Sequence, residues 1–151
     1  AGQPPQRLYL GGNSDLLSTA GPKMYQSSPI TQAGADNVAA GITDTYWAKI
    51  SYEQLLAWQP DRIVLASDAV YTIESVLTDP ALQSLPAIQN QAVSRMPNQL
   101  EAWDSPVPSG VLGQLYLINL LYPDRYSSAD LAADVDAFYR DFYDFEAGFS
   151  A

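Results

Sequence analysis

The chain contains no cysteine and no histidine. Their absence removes thiolate and imidazole metal sites, cysteine nucleophiles and every Ser-His-Asp arrangement. It leaves the redox compartment open, because a chain without thiols suits any. Positive charge is scarce: seven Lys and Arg stand against seventeen Asp and Glu, a net charge of -10. Such a balance cannot neutralise phosphates, which argues against a nucleic-acid partner and against anionic membrane surfaces. No apolar run approaches the length of about eighteen residues that would read as a membrane-spanning helix. Gly11-Gly12 with Gly21 lacks the G-x-G-x-x-G spacing, and no P-loop Lys-Ser/Thr follows a glycine. There is no D-x-D-x-D-G run for calcium. There is no G-x-S-x-G elbow either, which with the missing histidine argues against a hydrolase. The carboxylate pairs Asp134/Asp136 and Asp141/Asp144 lie on one helical face without an apolar pocket to raise a pKa, so they are poor glycosidase candidates.

What remains is a globular chain of 151 residues, 47% apolar and only 16% charged. That suits one domain with one adequate core. Residues 1–6, small, polar and proline-bearing, read as a linker. Arg7 to Leu10 reads as a first strand closed by the Gly11-Gly12-Asn13 turn. Asn13 to Lys23 reads as a loop, and a helix starting near Ser28 is expected to end at Gly34. Ser51 and Gln54 have the spacing of a capping box, with Ile50 and Leu55 placed as a hydrophobic staple. Pro60 stops that helix, and Ile63 to Ala66 is a short apolar run of strand type. Helical turns are expected at 72–77 and 80–85, a third strand at 92–96 and an apolar helix at 111–121. A last helix, capped by Ser127 or Ser128, carries Leu131, Val135, Phe138, Tyr139 and Phe142 on one stripe and acids on the other. This order predicts an α/β fold: a small parallel sheet flanked by helices in three layers. In such sheets ligands meet the loops at the carboxyl ends of the strands.

Two groups of residues invite a functional reading. Glu53, in the first turn of the capped helix, is on spacing alone a solvated carboxylate favoured by the helix dipole. Tyr46, Trp47, Tyr71 and Trp103 sit among turn residues; they are either anchors that pack the loops down or flat contact area for a ligand. A tyrosinate is also a known ligand of ferric iron in haem proteins, although no single tyrosine stands out for that role.

The phrase S-x-E-Q-L-L-x-x-x-P-D-x-I, from Ser51 to Ile63, resembles one that recurs in both lobes of a particular family. This is the family of periplasmic binding proteins that feed ABC importers of ferric siderophores, haem and cobalamin. RLYLGGNSDLLSTAGPKMYQSSPITQAGADNVA is similar to the first strand, cleft loop and helix of the family's C-terminal lobe. LQSLPAIQNQAVSRMP is similar to its L-x-x-L-P-A-V-x-x-G-x-V-x-x-x-P, with Asn90-Gln91 where a glycine is common. LEAWDSPVPSGVLGQLYLINLLYPDRY resembles its second cleft loop and the helix after it, and FYRDFYDF the closing helix. The four pieces keep the family's order and spacing from Arg7 to Tyr143.

The resemblance implies one lobe of a bilobal binding protein: residues 7–151 as the C-terminal lobe and residues 1–6 as a linker remnant, without the N-terminal lobe and interlobe helix. It implies that Glu53 is the charge that docks on the membrane permease. Trp47, Trp103 and Asp104 are expected to line the ligand cleft with Tyr46 and Tyr71, while Leu17, Ser18, Thr19 and Ala20 skirt the ligand. No catalytic residue, no metal ligand and no intrinsic cofactor is implied. The expected ligand is a ferric siderophore or haem, with cobalamin or an oxyanion such as molybdate as alternatives. Only Lys23 and Lys49 supply positive charge in these loops. The expected location is the periplasm or outer face of the envelope, with lipid anchoring left open. A different class stays open as well: a standalone interaction module using the acidic last helix against a basic partner.

Overall fold

The computed structural model describes residues 4–42 and 46–150; residues 1–3 of the expected linker lie outside the described residues. Four parallel strands form the central sheet: β1 (Arg7–Gly11), β3 (Asp36–Asn37), β5 (Arg62–Leu65) and β6 (Val93–Arg95), in the spatial order β3-β1-β5-β6. Tyr9 pairs with Ile63, and Ile63 in turn with Val93. A second, two-stranded antiparallel ribbon joins β2 (Ser18–Ala20) to β4 (Trp47–Lys49).

The α/β expectation holds, and the period-two pattern of the strands explains it. Leu8, Leu10 and Val64 face one side, where they pack with α1 (Ser27–Gln32), α5 (Gly110–Leu121) and α6 (Ser128–Tyr143). Tyr9, Ile63, Leu65 and Val93 face the other, against α2 (Tyr52–Trp58), α3 (Ile73–Leu77) and α4 (Pro86–Gln89). Parallel strands buried on both faces need this double cover.

Local signals set most helix ends. The Ser51 hydroxyl accepts from the Gln54 N–H. Ile50 and Leu55 both pack in the second cluster, as a staple requires. Gln59 takes a left-handed conformation, φ 45°, directly before Pro60. Gly34, at φ 86°, terminates α1. Ser127 caps α6 in a reciprocal box with Asp130. Three acids of α6 are engaged locally: Asp130 in the cap, Asp134 accepting from the Tyr126 hydroxyl, and Asp136 from the Gly148 N–H.

Three strands depart from the expectation. The segment read as a loop from Asn13 contains β2, Trp47 lies in β4 rather than in a loop, and β3 adds a short edge. Each is two or three residues long, too short for periodicity to register. Pro80 to Leu85 gives only a turn of 3-10 helix at Pro80–Leu82, and α4 follows it.

Gly113 marks the tightest packing. A Cβ there would overlap the Trp103 carbonyl oxygen and approach the Met96 methyl, whereas one on Gly41 would meet nothing within 4 Å. Gly113→Ala is therefore expected to cost about 3 kcal/mol, the upper end for overpacking. Gly41→Ala is expected to be nearly neutral. Urea unfolding midpoints of the two variants check this.

Candidate functional site

The loops that leave the carboxyl ends of β1, β5 and β6 are tied to one another. The Val70 N–H donates to the Asn13 carbonyl at 2.9 Å, and the Tyr71 hydroxyl to the Gly12 carbonyl at 2.9 Å. From beneath, the buried Tyr9 hydroxyl donates to the Leu16 carbonyl at 2.6 Å. Burial raises the pKa of both tyrosines, which keeps them protonated as donors. On the β6 side, Arg95 donates to the Ala69 carbonyl at 2.8 Å and to the Tyr71 carbonyl. Asn98 donates to the Ser67 carbonyl at 3.1 Å.

The β2–β4 ribbon stands beside these loops. Its register sets Thr19 opposite Ala48, both buried, and Ala20 opposite Trp47. Alternation then puts Trp47 and Lys49 on the outer face. Trp47 is 40% exposed, Tyr46 63% and Val70 81%. The Ile50 N–H donates to the Leu17 carbonyl at 2.8 Å, so α2 starts against the same edge. Glu53 in its first turn is exposed. Its own backbone N–H and the Ser51 hydroxyl lower its pKa, which holds it as a carboxylate at neutral pH.

The expected cleft residues therefore divide. Tyr46, Trp47 and Ser18 reach the surface of the ribbon region, with Ser18 half-buried. Leu17 is half-buried against the second cluster, and Tyr71 is half-buried with its hydroxyl committed to Gly12. Thr19, Ala20, Trp103 and Asp104 are interior in this lobe. The Thr19 side chain is fully buried and donates to the Leu10 carbonyl at 2.7 Å. Trp103, 3% exposed, packs on Phe149 with ring centroids 4.9 Å apart, and its indole N–H points to the Tyr139 hydroxyl. Asp104 is buried and accepts from the Ser67 N–H at 2.8 Å and the Ser67 hydroxyl at 2.6 Å. An indole has too much apolar surface to stay in a wet loop when a core lies beneath it. A carboxylate taken inside must be hydrogen-bonded.

Sequence reasoning missed Arg95 and Asn98. The available signal was a basic residue closing a short strand, Val93-Ser94-Arg95, at its carboxyl end. Charges at this edge are mixed: Lys23, Lys49 and Arg95 stand with Asp15 and Asp68. Among the described residues no group of three or more acidic, histidine or cysteine side chains could hold a metal ion. A separate concavity of about 460 Å³, lined by Gln6, Tyr122, Asp124 and Arg125 among others, lies at the amino end of the sheet. Ligands of open parallel sheets bind at the other end.

The family model described as periplasmic binding protein matches residues 2–100. The chain belongs to the periplasmic binding protein family. It is 33% identical to the molybdate-binding protein MolA of Haemophilus influenzae, over 91% of this chain and 38% of MolA. The structure of MolA bound to molybdate superposes with a TM-score of 0.77 at 28% identity, over 95% of this chain and 43% of that one. A periplasmic solute binding protein from Veillonella parvula gives a TM-score of 0.84 at 23% identity, over 97% and 45%. CeuE of Helicobacter pylori, in a nickel–histidine complex, gives 0.84 at 20% identity, over 97% and 47%. The last two likenesses speak to the fold alone. These relatives are binding proteins, not enzymes. The chain spans less than half the length of each of them.

The buried pair gives a stability prediction. Trp103→Ala should cost about 3–5 kcal/mol. Asp104→Ala should cost about 1–3 kcal/mol, because it strands the Ser67 donors. Denaturant melts without ligand check both. An unchanged midpoint would mean that the two side chains are not interior.

Proposed function

We propose that this chain is the C-terminal lobe of a solute-binding component of an ABC importer, working on the periplasmic or outer face of the envelope. Its carboxyl edge forms half of the ligand cleft, and the missing half would come from a partner lobe. The observation that carries this reading is the exposure of Tyr46, Trp47 and Val70 in the ribbon and loops beside the carboxyl edge, where parallel sheets bind ligands. Flat aromatic area with few fixed charges suits the organic shell of a metal complex, so the first ligand class is a ferric siderophore or haem. The mixed charges of Lys49, Arg95, Asp15 and Asp68 supply no strong single-sign field for a bare anion. Molybdate is the second reading, favoured by the 33% identity to the Haemophilus molybdate binder.

The exposed, ionised Glu53 is assigned to the permease, where it would meet a basic side chain. It stands in the first turn of α2, on a different element from Trp47, and its role is proposed to be separate from that of the ligand surface. A lone lobe covers one side of a ligand, which predicts weak binding by the isolated chain.

A thermal-shift panel with haem, ferric catecholates, cobalamin and molybdate tests the ligand class, because a ligand bound only to the folded state must stabilise it. In a two-lobe protein carrying this lobe, Trp47→Ala is expected to weaken ligand binding by about 1–3 kcal/mol. Glu53→Ala should leave ligand affinity unchanged and reduce transport. Equal loss of ligand binding in both variants would remove Glu53 from the docking role.

A further inference from the structure

Resting on the solute-binding reading, we infer that Arg95 is a positioning residue that presents Val70 at the ligand edge. Val70 is the most exposed large apolar side chain described, at 81%. An apolar side chain on a free loop tip would be expected to fold back onto the protein, since burial is favourable. Here the backbone prevents it. The Arg95 guanidinium donates to the carbonyls on both sides of Val70, at Ala69 and Tyr71. The Val70 N–H is itself taken by the Asn13 carbonyl, and the Tyr71 hydroxyl by the Gly12 carbonyl. One planar fork thus holds the carbonyls of Ala69 and Tyr71, the residues on either side of Val70, and two further bonds lock that segment onto the loop after β1.

The fork explains the choice of residue. Arginine offers five donors in a rigid plane, and two of them reach the Ala69 and Tyr71 carbonyls in a single geometry. A lysine ammonium has three donors but no fixed plane, so it would hold the two carbonyls less rigidly. Arg95 is half-buried, so its bonds are partly shielded from competing water. Arg95 makes no ion pair among the described residues. Two of its donors are committed to the loop, which fixes the backbone on either side of Val70.

Amide hydrogen exchange on this chain, without ligand, tests the clamp directly. Arg95→Gln is expected to speed exchange of the Val70 amide about tenfold or more, while the α2 and α6 amides keep their rates. Arg95→Lys should restore part of the protection. Unchanged Val70 exchange in Arg95→Gln would overturn the inference. So would a uniform acceleration across the whole chain, since that marks a general stability role. A second arm, in a two-lobe protein carrying this lobe, measures binding of a ferric catecholate and of molybdate to wild type, Arg95→Gln and Val70→Ser. If a probe binds, both variants should weaken it by a similar factor, and full affinity in Val70→Ser would overturn the contact role of Val70. If neither probe binds wild type, the solute-binding reading fails, and exchange still decides whether Arg95 holds the loop.

Discussion

Strands β1 and β5 lie in the middle of the sheet and are buried on both faces, and the positions of the other elements follow from that. Leu8, Tyr9, Ile63, Val64 and Leu65 are all fully buried. Alternate side chains along these strands point to opposite layers, so neither face tolerates water. Helices α1, α5 and α6 must cover one side and α2, α3 and α4 the other. Parallel connections of this kind return the chain from the carboxyl end of one strand to the amino end of the next. The loops that result gather at one edge without any of them having strong structure of its own.

Those loops become a defined surface because their backbone polar groups are satisfied by side chains from below and beside. Tyr9, Tyr71, Arg95, Asn98 and Asp104 each donate to or accept from a loop backbone group. The interior of the edge is held by polar side chains, while its outside carries aromatic and apolar residues among mixed charges. This division decides which residues can meet a partner. Asp104 and Trp103 serve the fold, while Trp47 and Val70 are left at the surface.

Much of the fold could be read in advance. The Ser51 cap, the Pro60 stop, the apolar run from Ile63 and the stripe of the last helix are local signals, and each holds except at Phe142, the end of the stripe, which is 72% exposed. The family phrase around Glu53 is also local and points to the family that the comparisons give. The site was less legible. Trp103 and Asp104 sit in a proline-rich stretch that reads as exposed, and contacts distant in sequence, with Gly113, Tyr139, Phe149 and Ser67, hold that stretch inward. Thr19 looked like a loop residue because a three-residue strand leaves no periodic trace. The role of Arg95 depends on a loop twenty-odd residues away, Ala69 to Tyr71, and no pattern in one sequence encodes such a pairing.

The central claim is that solute meets this chain at the carboxyl edge of its sheet. Amide chemical-shift mapping of the chain, titrated with a ferric catecholate and with molybdate, tests it most directly. The account predicts that shifts concentrate at Tyr46 to Lys49 and Asp68 to Tyr71. Shifts confined to Gln6 and Leu121 to Arg125, around the concavity at the amino end, would contradict it.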